Sequence, residues 1–285
     1  MTTNKMILNI KSNVAYITFN NPEKHNAVSL DMWDSLEEML NQCEKDHNVR
    51  VVVLNGAGGK SFVSGADISK FEKERSTKEA VLHYNSRTQK VYERLESFPK
   101  PTIAMIDGYC IGGGLNVAVC CDIRICSKKS QFAMPAAKLS LGYPFSSIKR
   151  LFDIMGPGMS KHFMFTAERI LADEALSCGL VQKLVEDGNL EEFVNNYAEK
   201  IAGNAPLTIK AMKNIGIEIL KNPNDRNLEE CKKLAEACFD SNDYVEGRRA
   251  FMEKRKPNFK GNKIIYLLKL YLKLSLLSSL HLHLN

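Results

Sequence analysis

Asp107-Gly108-Tyr109-Cys110-Ile111-Gly112-Gly113-Gly114-Leu115-Asn116 lies between two apolar runs, Thr102 to Ile106 and Leu115 to Cys121. The first run follows Pro101, is short and is bounded by turn residues, so it reads as a buried strand; the second suits a helix. Three consecutive glycines at a helix start are conformationally expensive. They call for a reason, either close approach of the backbone to another group or tight packing of helix on sheet. A helix N-terminus also presents partial positive charge to a developing anion. The GxGxxG spacing of a dinucleotide fingerprint is missing.

Working outward, the same unit occurs upstream. Val51-Val52-Val53-Leu54 reads as a buried strand ending at Gly56, and Gly59-Lys60-Ser61-Phe62-Val63-Ser64-Gly65-Ala66-Asp67-Ile68 follows it. A small, glycine-containing turn of this kind lets a ligand approach backbone N–H groups that lack an intrahelical partner; the plain alternative is an ordinary strand-to-helix loop. A helix is expected over about 77 to 97. Nearer the N-terminus, 6 to 10 and 14 to 19 separated by Lys11-Ser12-Asn13 form a hairpin signature. Ser29 is placed to cap an amphipathic helix carrying Leu30, Met32, Trp33, Leu36, Met39 and Leu40. Downstream, Asp122 to Cys126 and Gln131 to Met134 suit short strands, and about 190 to 255 reads as helical, with turns at Pro206 and Pro223. The pattern is α/β, a repeated ββα arrangement rather than a single Rossmann unit.

The 285 residues, 44% hydrophobic and 25% charged, suit one large α/β domain with an appended helical part. The formal charge of +6 owes half its value to Lys263, Lys269 and Lys273 in the C-terminal tail. Basic residues elsewhere are scattered without aromatic interleaving, which argues against nucleic acid as a partner. Eight cysteines show no CxxC and no metal-site spacing. Most lie in apolar runs, where cysteine acts as a small hydrophobe; with no signal peptide at the start, the expected setting is the reducing cytoplasm. Residues 262 to 285 differ from the rest: ten of the twenty-four are Leu, but Lys269 and Lys273 interrupt them. Each lysine costs about 3 kcal/mol near the centre of a membrane helix, so spanning is disfavoured.

Ser64-Gly65-Ala66-Asp67 and Gly112-Gly113-Gly114 resemble, in order and separation, the two halves of the oxyanion hole of the crotonase (enoyl-CoA hydratase/isomerase) family. The likeness extends from Asn21-Pro22-Glu23-Lys24-His25-Asn26-Ala27 through Lys100-Pro101-Thr102 and Cys121-Asp122-Ile123-Arg124 to Glu246-Gly247-Arg248-Arg249-Ala250-Phe251, nearly all of residues 5 to 261. It implies a crotonase-like ββα spiral core over 1–195. A helical C-terminal region over 196–261 would support assembly into a trimer or hexamer, and a Leu-rich tail over 262–285 has no family counterpart. The implied substrate is an acyl thioester of coenzyme A, which enters as part of the substrate, with no further cofactor and no metal.

By the same resemblance, the N–H groups of Ala66 and Gly113 would hold the thioester carbonyl. Lys24, Ala27, Ser64, Gly65 and Ile68 would contact coenzyme A, as would Phe251 and Lys254 from the last helix. The sequence departs from the family where its hydratases carry two glutamates, for those positions are Asn116 and Ala136. Asn cannot abstract a proton and Ala has no polar group. Tyr143 aligns with the tyrosine of the family's methylmalonyl-CoA decarboxylases. Enolate chemistry of the hydratase/isomerase type, a decarboxylase-like reaction and non-catalytic acyl-CoA binding are the three readings.

Overall fold

The computed structural model describes residues 4–70 and 76–262, and the chain divides into two compact units, Met1–Ala202 and Gly203 onward. In the first, β1 (Met6–Lys11) and β2 (Val14–Phe19) form the expected hairpin, and β3 (Val51–Gly56) pairs in parallel with β2. From β3 onward the chain repeats one pattern. A strand of a large sheet is followed by a strand of a small sheet and then by a helix: β3, β4 (Ser61–Val63) and α2 (Lys78–Glu96); β5 (Thr102–Ile106), β6 (Tyr109–Ile111) and α3 (Gly113–Cys120); β7 (Ile123–Ser127), β8 (Gln131–Ala133) and α4 (Phe145–Thr166). The helix before β3 is α1 (Leu30–Lys45). After α4 come β9 (Ile170–Leu171), α5 (Ala172–Ser177), β10 (Lys183–Val185) and α6 (Leu190–Ala202). The large sheet runs β1-β2-β3-β5-β7-β10, antiparallel only at β1/β2, and the small sheet β4-β6-β8-β9. This is the expected repeated ββα.

Successive side chains point to opposite faces, and burial of both faces explains why β3 and β5 are largely apolar. Val52, Leu54, Ala104, Ile106 and Cys126 face one core, shared with α1, α2 and the small sheet. Val51, Val53, Ile103, Met105 and Ile125 face a second core closed by Leu190, Val194, Ala198 and Ala202 of α6. The expected boundary at 195 therefore falls inside a helix that belongs to the first unit.

The motifs around the strands fasten this frame. Lys100 donates to the carbonyls of Cys43 (2.6 Å) and Asp46 (2.7 Å), where α1 ends and its carbonyls lack helical partners. Asp122 accepts from the Thr102 amide (2.7 Å), and buried Arg124 donates to Leu180 O (2.6 Å) and Cys121 O (2.7 Å). Ser29 does stand at the N-cap of α1, but its hydroxyl bonds Asp31 and caps no amide. All eight cysteines are free, and burial pushes the Cys120 and Cys126 thiols up to about 12, so they stay protonated.

The second unit contains α7 (Pro206–Ile219), α8 (Leu228–Phe239) and α9 (Asn242–Met252). Pro206 opens a helix rather than a turn, since a first-turn proline lacks only an N–H that would be unpaired anyway. Asp243 accepts from the amides of Lys260 and Gly261 (both 2.8 Å). No helix among the described residues is long and apolar enough to cross a membrane; residues 263–285 lie outside them.

Candidate active site

The first wall of the site is laid by a buried asparagine. Asn26 donates to Ala57 O (2.9 Å) and Ser61 O (2.8 Å) and accepts from the Asn21 amide (2.9 Å), which closes the 21–26 loop on β4. The segment after β4 then runs beside that loop. Ser64 N–H donates to His25 O (3.1 Å), Val28 N–H to Gly65 O (2.8 Å), and Asp67 N–H to Val28 O (2.9 Å). Because amides alternate in direction along an extended segment, Ala66 N–H is turned away from this ladder. Among the described residues it meets no acceptor.

The glycine triplet forms the second wall, and its members do three different jobs. Gly112 has φ 55°, in the region that glycine adopts without strain. Gly114 is the packing glycine, since an added Cβ would stand 2.1 Å from Val63 O. Gly113 opens α3 with an N–H that has no acceptor among the described residues, and an added Cβ there would lie 3.8 Å from Ala66 N and 3.4 Å from Tyr92 Oη. Both readings of the triplet hold, one residue apart: tight packing at Gly114, an open approach at Gly113.

The other expected residues of the first unit lie on several elements. Asn116, one turn along α3, is 3% exposed, and its Oδ1 has no partner among the described residues. Ala136, in the short 3-10 segment Pro135–Leu139, packs against the first core. Tyr143 is half-buried, its Oη 3.8 Å from where a Gly112 Cβ would be. Lys24 is occupied: its ammonium pairs with Asp67 (2.9 Å) and donates to Ser69 Oγ (2.6 Å). Ala27 is buried and Ile68 exposed, while Ser64 Oγ reaches Lys24 O (3.4 Å). Phe251 and Lys254 belong to the second unit, Phe251 exposed at the end of α9 and Lys254 just past it. No cluster of potential metal ligands occurs among the described residues.

Tyr92 is the residue that sequence reasoning passed over. It lies with Val91 and Leu95 on the buried face of α2 and reads there as core. Its ring meets Trp33 edge-on at 5.3 Å, and its O–H reaches Gly113 O at 3.4 Å. Burial, reinforced by Tyr84 and Tyr143, pushes its pKa well above the ordinary phenol value, against a hydrogen bond from Asn116 that works to lower it.

The sequence profile of the enoyl-CoA hydratase/isomerase family matches residues 9–262. The chain belongs to that family. A short-chain-enoyl-CoA hydratase of Clostridium acetobutylicum is 38% identical over 256 residues, which cover 90% of this chain and 97% of the relative. The methylmalonyl-CoA decarboxylase of Escherichia coli is 33% identical, over 87% of this chain and 95% of its own. The solved structure of an enoyl-CoA hydratase from Bacillus anthracis superposes with a TM-score of 0.86 at 32% identity, covering 91% of this chain and all of that one. Membership in the enoyl-CoA hydratase/isomerase family makes this an enzyme fold for acyl-CoA chemistry, and solved family members share the α/β architecture described above.

Proposed function

We propose that the protein processes an acyl-CoA through a thioester enolate held by the N–H groups of Ala66 and Gly113. The observation that carries this reading is the pair itself: two amides that meet no acceptor among the described residues, brought close together by different elements. Donors fixed in place before charge develops are worth a few kcal/mol each when an oxyanion forms between them. The nearby phenols and carboxamide add polarity without net charge. Coenzyme A would lie along the 24–27 and 64–68 segments, and nothing in this chemistry calls for a further cofactor.

Decarboxylation of a malonyl-type thioester is the second reading, favoured by Asn116 and Ala136. These stand where a hydratase of the family is expected to hold its two glutamates, whereas loss of CO₂ generates the enolate without a base. Tyr143, with its Oη 3.8 Å from where a Gly112 Cβ would be, would orient the departing carboxylate. The hydratases among the relatives weigh toward hydration, and Asn116 with Ala136 weighs against it. Parallel turnover of crotonyl-CoA and methylmalonyl-CoA separates the two, and tight binding of both with turnover of neither identifies a non-catalytic acyl-CoA-binding protein. For the second unit we infer self-assembly as a trimer or hexamer, supported by the exposed Phe239, Tyr244, Phe251 and Met252 beside an apolar cavity of about 530 Å³. Sedimentation analysis tests it.

A further inference from the structure

We propose that Tyr92 is the proton donor to the α-carbon of the enolate, with Asn116 holding the phenolate that results. The inference rests on the oxyanion reading of Ala66 and Gly113 and deepens it by naming the acid that the chain uses in place of a carboxylate.

The geometry begins with a fixed ring. Tyr84, Thr88 and Tyr92 recur every four residues on the buried face of α2. Trp33 Nε1 donates to Tyr84 Oη at 3.3 Å and the Trp33 ring abuts Tyr92, so the Tyr92 ring is held from α1 as well as from its own helix. Its hydroxyl is thereby delivered to the start of α3. The point where a Gly113 Cβ would stand is 3.4 Å from Tyr92 Oη and 3.8 Å from Ala66 N. A thioester seated on the two amides puts its α-carbon, one bond from the carbonyl carbon, beside this hydroxyl.

The hydroxyl is also underused. Buried phenols ordinarily make a well-formed hydrogen bond. The one acceptor that the Tyr92 O–H reaches among the described residues is Gly113 O at 3.4 Å, long for an O–H···O bond. Three residues along α3 from Gly113 is Asn116, 3% exposed, whose Oδ1 has no partner among the described residues. Two polar side chains from different helices thus converge on the proposed oxyanion site without satisfying each other fully. The O–H can be redirected to a ligand at small loss.

The chemistry balances. The enolate electron pair takes the Tyr92 proton: the O–H bond breaks, a C–H bond forms at the α-carbon, and Tyr92 is left as phenolate. Transfer runs downhill, because a phenol is a far stronger acid than a thioester α-carbon. The NH₂ group of the Asn116 carboxamide is a donor and supplies a hydrogen bond to the charged oxygen. A carboxylate at position 116 would repel that phenolate, so asparagine there and tyrosine at 92 are mutually consistent. Water entering as product leaves returns the proton. Tyr143, the half-buried phenol whose Oη lies 3.8 Å from where a Gly112 Cβ would be, faces the carboxylate of the substrate in this scheme.

The test is stereochemical, since loss of packing slows an enzyme without scrambling the face from which a proton arrives. Methylmalonyl-CoA is converted in D₂O, and the configuration of the α-deuterium in the propionyl-CoA product is read by NMR, with α-proton exchange of propionyl-CoA followed in parallel. Wild type and Tyr143→Phe should give one configuration. Tyr92→Phe, confirmed as folded by thermal melt, should turn over at least about 10²-fold more slowly and give racemic product. Asn116→Asp leaves Tyr92 in place and should slow the reaction by placing charge beside the phenolate; it decides the matter if Tyr92→Phe does not fold. Retained rate and configuration in Tyr92→Phe, or unchanged rate in Asn116→Asp, overturns the proposal and leaves the oxyanion reading standing. Racemic product from Tyr143→Phe alone moves the role to Tyr143. A wild-type protein that binds these thioesters but neither decarboxylates nor exchanges overturns both.

Discussion

At the scale of single residues, the three glycines separate packing from chemistry. A methyl at position 114 would collide with the Val63 carbonyl, a backbone atom that cannot swing aside. Gly114→Ala should therefore lose about 1–3 kcal/mol in denaturant unfolding, the usual range for overpacking a tight core. Gly113 is the first residue of α3, the position that accepts proline, so Gly113→Pro removes the N–H with little insult to the helix. Together with Ala66→Pro it should reduce turnover about 10²-fold with a smaller change in coenzyme A affinity; full activity in well-folded variants would dismiss the oxyanion role. Asn116 and Ala136 yield the converse experiment. Hydratase activity is expected to be weak in the wild type and to rise in the Asn116→Glu, Ala136→Glu variant, and crotonyl-CoA turnover near 10 s⁻¹ or above by the wild type, an ordinary enzyme rate, would refute the account.

At the scale of elements, the turn after β4 is held by charge, and this sets a pH dependence. Burial works to raise the Asp67 pKa, but hydrogen bonds from Ser69 and Lys24 and the Lys24 charge outweigh it and hold the carboxyl below its usual value. A carboxyl with a lower pKa folded than unfolded strengthens folding above its unfolded value, about 4, and that contribution disappears as pH falls through the folded value. Asp67→Asn should be less stable than wild type at pH 7 and should converge with it toward pH 3, as followed by thermal melts. Equal gaps at both pH values would show that the pair contributes nothing. Much of this level was legible in the sequence: β1 and β2 through alternation around a turn, β3 and β5 through short apolar runs after turn residues, α2 through helical spacing. The assignment of β4, β6 and β8 to a separate sheet was not, because three-residue strands carry almost no periodicity. Tyr92 was hidden for a related reason, since a buried helix face looks the same from sequence whether its hydroxyl points at core or at a ligand.

At the scale of the whole molecule, the sequence was most informative where backbone needs are unusual and least where a boundary depends on packing. The glycine triplet pointed to the proposed site because few roles justify three glycines, yet the division between the units falls at Ala202 because α6 closes the second core, a fact of packing rather than of composition. The same reasoning fixes where the C-terminal end can be cut. Family likeness in the sequence closes at Gly261, but the fastening continues one residue further: Asp243 holds the amides of Lys260 and Gly261, and the Asn242 amide donates to Asn262 O at 3.1 Å. These bonds tie residues 260–262 to the start of α9, where the Asn242 amide would otherwise lack a partner. A protein ending at Asn262 keeps all of them and should retain the melting temperature, oligomeric state and acyl-CoA turnover of the full chain. Ending it at Glu253 removes every one and should lower the melting temperature by several degrees, the response to a loss of about 1–2 kcal/mol in a chain of this size. If instead the Asn262 truncation itself loses its oligomeric state, residues 263–285 take part in assembly, and the Leu-rich segment has a partner surface to be found.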